Sequence, residues 1–394
     1  MKRIAAAAIA TALGAFLTAG APCAEEVLKL GLLAELSGPF APSGQGERNG
    51  LELYLAGHGG KLGGRAVEII REDTAGDPAT AISKLKKLVE SDKIDILIGP
   101  TSSATGQAIR GYVIEHQLPT LIESTVDEVL DARYIFRTTF RGNADAYAAG
   151  YLMAAAGFKR AVFLAPNYIA GQTAIQNAEK GFKENGGVAG QDLLPRIGVP
   201  DYGPFIAQFA EDAEVAFVFL PGTDGVRFIK QYADFGKKLP LYGPSVTVDE
   251  AQLSTEGKAA EGFTTISSYF SVVDTQENKK LMQVWGKGYQ GQEKPTWQTI
   301  GGYIAAQILD EALTTLHGKI DDKDALLKTI AAIRLETPLG PFRFDADLNP
   351  VSPRYVAQIR EVDGEMRPVI LGTTPPFVPK LAPPQLPPGL TLPR

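Results

Sequence analysis

The sequence predicts an α/β protein of two lobes, because short apolar segments alternate with amphipathic helical segments from Val27 onward. Each apolar segment has the length of a buried strand, and a turn and a helical pattern follow it. Strands that alternate with helices form a parallel sheet with helices on both faces. At least seven such units occupy about 250 residues. That number exceeds one ordinary sheet, so we expect two α/β lobes rather than one.

The elements follow one another in a regular order. The first strand is expected at 27–34, and the alternation of apolar and polar residues at 65–73 is typical of a half-buried strand. The next helix has a clear start, because Asp77 can cap its N-terminus and Pro78 suits its first turn. Further buried strands are expected at 95–99, 119–122, 160–165, 215–220 and 240–243.

The N-terminus, residues 1–24, is expected to be a secretory signal peptide. Lys2 and Arg3 precede an apolar run that is shorter than the roughly 20 residues needed to cross a bilayer, and small residues follow it. Pro22 stands directly before Cys23, the one cysteine of the chain, and fits a lipobox poorly. We therefore expect export to the periplasm without a lipid anchor, and a folded protein that relies on packing rather than on disulfides.

The C-terminal tail, residues 373–394, contains eight prolines in 22 positions. Proline lacks the amide donor and fixes φ, so we expect an extended chain, wrapped on the surface or disordered, rather than a part of the core. A proline-rich ligand for a docking domain is the alternative.

The composition excludes several function classes. Lysine and arginine number 39 against 45 acidic residues, so the surface has no electrostatic attraction for nucleic acid or anionic lipid. One cysteine and three widely spaced histidines leave no metal site of the usual kinds. The SxxK match at Ser83 lies inside a predicted helix and lacks its partner motifs. We expect no enzymatic activity, no cofactor and no metal.

Small polar residues follow the predicted strands, at the positions where open α/β sheets bind ligands. Hydroxyl groups and helix N-terminal amides suit a carboxylate, because they offer donors and partial positive charge without a fixed countercharge. Ordinary helix capping is the alternative for each residue alone. Five such turns together favour a ligand cleft, and they lie at 100–106, 123–125, 166–168, 221–223 and 244–245.

Several short motifs stand in the order and spacing of a known family. They include Leu36-Ser-Gly-Pro39 after the first strand, Ile98-Gly-Pro100 before two serines, Tyr168 with Gly171, and Leu241-Tyr-Gly-Pro244. Each motif alone is weak, but their order is specific. Through them the chain, from 27 to 372, resembles the periplasmic solute-binding proteins of ABC importers, in the branched-chain amino-acid-binding branch.

The resemblance implies the type I periplasmic binding protein fold, with two Rossmann-like lobes joined by a hinge of three crossovers. It places 27–140 and 273–334 in lobe one, and 141–272 and 335–372 in lobe two. It also implies a receptor that closes on a small-molecule ligand and presents it to an ABC permease in the inner membrane. We expect a monomer that binds no nucleic acid. A ligand sensor on the same fold is an alternative.

The resemblance also indicates where the ligand binds. Amino-acid-binding relatives hold the carboxylate and amine in two turns of lobe one, and close an aromatic residue over the ligand from lobe two. Aromatic side chains can stack on a ligand ring. We therefore expect a site that consists of Ser102, Ser103, Ser124 and Thr125 in the turns of lobe one, Tyr168, Thr223 and Ser245 in lobe two, and Trp297 as a stacking residue.

One departure from the family's pattern bears on the ligand. Where amino-acid-binding relatives place an acid that neutralises the ammonium group, this chain has Ser245. Because a buried, unpaired ammonium is costly, we favour a carboxylate without an ammonium group, as in the relatives that import aromatic carboxylates. A branched-chain or other hydrophobic amino acid is the alternative, with Asp224 or Glu123 as the acid. Further candidates for contact with the ligand are Phe40, Phe140, Arg141 and Tyr269.

Overall fold

The computed structural model describes residues 27–123, 133–138, 142–188, 190–288, 294–374 and 392. These residues fold into two α/β lobes, each with its own central sheet, and the chain passes between the lobes three times. The predicted fold class is therefore confirmed. The predicted signal peptide lies outside the described residues.

Residues 27–138 contribute most of the first lobe. In chain order the elements are β1 (Leu28–Ala34), α1 (Ala41–Gly57), β2 (Lys61–Leu62), β3 (Arg65–Asp73), α2 (Pro78–Lys86) with a π-helical turn (Lys87–Ser91), β4 (Ile96–Ile98), α3 (Ser103–Glu115), β5 (Thr120–Ile122) and β6 (Ile135–Arg137). The described strands form one sheet in the order β2-β3-β1-β4-β5-β6, parallel except for β2 against β3. Asp77 caps α2 as predicted, since its carboxylate accepts a hydrogen bond from the Thr80 amide at 2.7 Å.

Residues 142–268 contribute most of the second lobe. Its elements are α4 (Gly142–Ala155), β7 (Ala161–Leu164), α5 (Ile169–Glu184), β8 (Gly190–Leu193), α6 (Gly203–Ala207), β9 (Val215–Val218), α7 (Thr223–Asp234), β10 (Leu241–Pro244), a 3₁₀ turn (Ser245–Thr247), α8 (Leu253–Glu256), a 3₁₀ turn (Gly257–Ala260) and β11 (Thr264–Ser267). The paired strands from β7 to β11 are all parallel. The strands predicted at 160–165, 215–220 and 240–243 correspond to β7, β9 and β10.

The chain then returns to the first lobe and crosses a last time. The remaining elements are α9 (Gln276–Gly288), α10 (Trp297–Thr315), α11 (Lys323–Ala331), β12 (Arg334–Thr337), β13 (Gly340–Phe344), β14 (Pro350–Val351), β15 (Arg354–Val362) and β16 (Glu365–Thr374). The second sheet has the order β16-β15-β11-β10-β9-β7-β8, with β15 and β16 antiparallel to their neighbours. Phe342 and Phe344, from the small sheet β12-β13-β14, pack in the core of the first lobe. The sequence-based lobe boundaries stay a prediction.

Two buried polar contacts join the segments where the chain changes lobe. Arg354, at the start of β15, donates to the Asp145 carboxylate of α4 at 2.8 Å, and both side chains are buried. Arg137, at the end of β6, donates to the side-chain oxygen of Asn349. Removing one partner of the Arg354–Asp145 ion pair would leave an uncompensated buried charge. The two contacts therefore tie segments of different lobes together at the crossovers.

Each lobe contains two helices whose backbones touch at a glycine. A Cβ added at Gly302 of α10 would lie 2.0 Å from the carbonyl oxygen of Glu47 in α1. In the second lobe, a Cβ added at Gly150 of α4 would lie 1.9 Å from the carbonyl oxygen of Ala178 in α5. No larger residue fits at either position unless a helix moves, because protein interiors are close-packed.

The predicted tail falls largely outside the described residues. Its first two residues, Thr373 and Thr374, end β16 and pair with β15, so the predicted tail overlaps the last strand. Leu392 is half-buried against the core of the second lobe. No helix in the described part of the chain is long and apolar enough to span a membrane.

We predict that Gly150→Ala lowers the free energy of unfolding by about 1–3 kcal/mol, because the added methyl group forces α4 and α5 apart. The matched control is Gly111→Ala in α3, where an added Cβ meets no atom within 4 Å. That change should stabilise the protein by about 0.4–1 kcal/mol, because alanine restricts the unfolded chain. Urea unfolding measures both. Equal effects of the two substitutions would contradict the tight helix crossing.

Candidate ligand-binding site

A small cavity of about 40 Å³ lies between the two lobes. The lobes touch beside it: the rings of Phe40 and Tyr168 are 6.4 Å apart, and a Cβ at Gly222 would lie 2.8 Å from the carbonyl oxygen of Pro39. The lobes are therefore closed on each other. The described residues that line the cavity are Phe40, Ser43, Thr101, Ser102, Ser103 and Trp297 from the first lobe, and Tyr168, Phe219, Pro221 and Val246 from the second.

Five of the described lining residues stand at the beginning of a helix. Phe40, Ser102 and Tyr168 are the N-cap residues of α1, α3 and α5. Ser103 and Trp297 are the first residues of α3 and α10. The start of α10 is fixed by a reciprocal cap between Thr296 and the residue three positions later, with hydrogen bonds of 3.2 and 3.4 Å. Helix N-termini carry partial positive charge, so helix starts from both lobes suit an anionic ligand.

The hydroxyl group of Ser102 is free to bind a ligand. The residue is 6% exposed, and its Oγ has no hydrogen-bond partner among the described residues. Although Ser102 stands at the N-cap of α3, its side chain makes no capping hydrogen bond. Helix capping therefore does not account for this serine. A buried hydroxyl without a partner costs about 1–3 kcal/mol, and an acceptor on a ligand would remove that cost.

The structure brings four of the eight predicted site residues together. Ser102, Ser103, Tyr168 and Trp297 all line the cavity between the lobes. Ser124 and Thr125, like Phe140 and Arg141, lie outside the described residues.

Two predicted residues of the second lobe lie away from this cavity. Ser245 lines a smaller cavity of about 10 Å³, which shares Trp297 with the first, and its hydroxyl donates to Ser267 Oγ at 2.8 Å. Thr223 is exposed at the start of α7 and does not line either cavity. The chain turns at Gly222, where φ is +64°, so Pro221 rather than Thr223 faces the ligand cavity.

Five of the lining residues were not named as site residues from the sequence: Ser43, Thr101, Phe219, Pro221 and Val246. Thr101 and Pro221 lie in turns that were predicted to form the cleft, and Val246 adjoins Ser245, so a position after a strand was the available signal. Ser43 had no such signal, because it lies inside α1, where it accepts a hydrogen bond from Gln298 at 3.0 Å.

Comparison with known proteins agrees with this two-lobed geometry. A family model described as periplasmic binding protein matches residues 27–365. The chain belongs to the periplasmic binding protein family. It is a solute-binding protein of the ABC-transporter type, and the predicted resemblance is confirmed.

Three relatives illustrate the range of this binding protein's family. A solute-binding protein from R. palustris in complex with benzoate is 29% identical, with a TM-score of 0.83, and the match covers 93% of this chain and 99% of that one. One from Rhodopseudomonas palustris BisB5 in complex with 3,4-dihydroxybenzoic acid is 25% identical, with a TM-score of 0.84, over 89% and 98% of the two chains. A Leu/Ile/Val-binding protein homolog 6 of Brucella melitensis is 24% identical, over 92% of this chain and 94% of the relative.

The two acids considered as partners for an ammonium group are engaged or buried in this binding protein. Asp224 accepts hydrogen bonds from the Gly198 amide at 2.8 Å and from Arg227 at 2.6 Å. Glu123 is buried, and burial followed by the charge of Glu47 raises the pKa of Glu123 well above its usual range. Among the described residues that line the ligand cavity, none is acidic.

Two further acids line the smaller cavity beside Ser245. Burial raises the pKa of Asp249 to about 7 and the pKa of Glu250 to about 7. The amide and the hydroxyl of Ser271 donate hydrogen bonds to the Glu250 carboxylate at 2.7 and 2.6 Å, and these bonds limit the rise in the pKa of Glu250. Burial, followed by the charge of Asp224, also raises the pKa of Tyr168, so its hydroxyl stays protonated. No group of His, Cys, Asp and Glu in the described ranges is placed to hold a metal ion.

We predict that Asp249→Asn stabilises the unliganded protein at pH 8 but not at pH 4. Between these values the unfolded Asp249 has lost its proton, whereas the folded one keeps it up to about pH 7. The stability of the wild type should therefore fall as pH rises through this window, by up to about 4 kcal/mol from this one group. Denaturant unfolding across pH measures the difference, with the exposed Asp234→Asn as control. A pH-independent difference would contradict the assignment.

Proposed function

We propose that this protein binds a small aromatic carboxylate between its lobes by hinge closure and presents the closed form to an ABC permease in the inner membrane. The observation that carries the proposal is the lining of the cavity, which combines aromatic rings with hydroxyl groups and lacks an acidic side chain among the described residues. The proposal includes no catalytic step and no cofactor.

The aromatic lining supports a flat, apolar ligand. Phe40, Tyr168, Phe219 and Trp297 contribute four aromatic side chains to one small cavity. Aromatic rings pair in offset or edge-to-face arrangements worth about 0.5–1.5 kcal/mol each beyond the area that they bury. A benzoate-like ring can make several such contacts at once, whereas an aliphatic side chain can make none.

The polar lining supports a carboxylate. The cavity offers Ser102 Oγ without a partner, and the neighbouring Ser103 begins α3. Such a hydroxyl can donate a hydrogen bond to a carboxylate oxygen. The absence of an acid from the described lining disfavours an ammonium group, because a buried ammonium needs a countercharge. The benzoate and dihydroxybenzoate complexes of the two similar binding proteins support the same ligand class.

Closure is the proposed mechanism of capture. Aromatic and hydroxyl groups from both lobes line the cavity, so a ligand contacts the full set only when the lobes are closed. A ligand shifts the balance between open and closed forms only by its difference in affinity for the two. The permease then distinguishes the loaded receptor by its closed shape.

The proposal extends to location and assembly. We infer a monomer, exported by the signal peptide predicted at 1–24, that acts in the periplasm and does not bind nucleic acid. The net charge of −6 supports the last point, because nucleic acid repels an acidic surface.

A branched-chain amino acid is the second candidate ligand. Asp249 and Glu250 line the cavity that adjoins the ligand cavity at Trp297, and either could pair with an ammonium group. The Leu/Ile/Val-binding protein homologue of Brucella supports this alternative.

A thermal-shift screen separates the two ligand classes. We expect benzoate, 4-hydroxybenzoate or 3,4-dihydroxybenzoate to raise the melting temperature by several degrees, because a ligand at 100 times its Kd stabilises by about 2.7 kcal/mol. Leucine, isoleucine and valine should leave it unchanged. Stabilisation by these amino acids and by no aromatic acid would reverse the ligand assignment.

We further predict that Ser102→Ala raises the Kd for benzoate about tenfold or more, because it removes a hydrogen bond to a charged group. The melting temperature of the unliganded protein should hardly change, since Ser102 Oγ has no partner among the described residues. Isothermal titration calorimetry measures the Kd, and the exposed Ser83→Ala on α2 is the control. Unchanged benzoate affinity in Ser102→Ala would remove this serine from the site.

A further inference from the structure

Glu35 is a fully buried acid that lies just behind the ligand cavity. It follows β1, is 0% exposed, and does not line the cavity. Its Oε2 accepts hydrogen bonds from the Thr101 amide at 3.0 Å, the Thr101 hydroxyl at 2.7 Å and the Ser102 amide at 3.3 Å. Its Oε1 accepts from the hydroxyls of Thr74 at 3.2 Å and Thr105 at 2.7 Å. One side chain therefore links β1, the turn after β3 and the start of α3.

These contacts divide the donors at the start of α3 into two sets. The Thr101 and Ser102 amides and the Thr101 hydroxyl point inward and are taken by Glu35. The Ser102 hydroxyl is left in the cavity without a partner among the described residues. The Glu35 carboxylate thus holds the side of the turn that faces away from the cavity. The side that faces the cavity presents the Ser102 hydroxyl to a ligand.

We propose that Glu35 is a positioning residue of the ligand site. Its side chain takes the place that an external anion would take on the Thr101 and Ser102 amides, and it fixes the turn so that Ser102 Oγ faces the ligand. The ligand carboxylate is then bound by the outer hydroxyl groups rather than by these two amides. This inference rests on the proposed function for the identity of the ligand, but the geometry of the turn can be tested without a ligand.

Two substitutions at Glu35 distinguish its role. Glu35→Gln keeps the shape: the amide oxygen can accept the three bonds now made to Oε2, and the NH₂ can donate to the Thr74 and Thr105 hydroxyls, which accept as well as donate. The Thr105 hydroxyl then donates to the Ser102 carbonyl oxygen, which already lies 2.9 Å away. Glu35→Ala removes every acceptor and leaves the inner donors unpaired.

Amide hydrogen exchange tests the geometry of the turn in the unliganded protein. We expect Glu35→Ala to speed exchange of the Thr101 and Ser102 amides at least tenfold, while Glu35→Gln stays within threefold of the wild type. Ile330→Ala is the control for general loss of stability, because Ile330 is buried in α11 and does not line the cavity. Equal exchange at 101–102 in Glu35→Ala and Ile330→Ala would overturn the proposal.

Calorimetry with benzoate tests the effect on binding. Glu35→Ala should weaken benzoate binding at least tenfold, Glu35→Gln should restore it to within about threefold, and Ile330→Ala should leave it unchanged. Benzoate affinity that survives in Glu35→Ala would overturn the positioning role. If the wild type binds leucine and not benzoate, the aromatic ligand is wrong, and the same three variants are compared with leucine as the probe.

Discussion

The parallel order of the strands is the constraint on which the rest of this structure depends. Parallel neighbours cannot be joined by tight hairpins, and in the described part of the chain α1, α3, α5 and α7 each begin beyond the carboxyl end of a strand. The two lobes turn these ends toward each other. As a result most of the described residues that meet at the cavity follow β1, β4, β7, β9 or β10, while Trp297 stands at the start of α10. The starts of α1, α3, α5 and α10 surround one small volume.

Movement of the two lobes about the crossovers must leave the packing inside each lobe unchanged. Within the lobes, helices touch backbone to backbone at Gly302 and Gly150, which leaves no compressible side chain between them. Between the lobes, the rings of Phe40 and Tyr168 meet beside the cavity. The buried pair of Arg354 and Asp145 joins two of the segments where the chain changes lobe. Rigid lobes joined by such crossovers suit rotation of one lobe against the other.

The sequence predicted the fold well, because hydrophobic periodicity and helix-start signals act over short distances. Asp77 capped its helix as expected, and the serines after β4 reached the cavity. The local turn decides which of several neighbouring residues faces the cavity. At Gly222 the turn directs Thr223 away from the cavity and leaves Pro221 in its lining.

Contacts between residues that are far apart in the sequence could not be predicted from local sequence patterns. Glu35 meets residues 39 to 70 positions away, and no pattern around it indicates a buried acid with five donors. Trp297 was expected only as a stacking residue, whereas its place in the cavity depends on a cap at Thr296 and on the packing of α10 beside α1.

The carboxylate of Glu35 has a consequence for selectivity against inorganic ions. A helix start with open amides is a general anion site that attracts sulfate, phosphate or chloride. At the start of α3 the protein occupies the Thr101 and Ser102 amides with its own carboxylate, so these abundant ions find no vacant amides at those two residues. The aromatic carboxylate that we propose as the ligand must then gain its affinity from its ring as well as from its charge, a requirement that these inorganic ions do not meet.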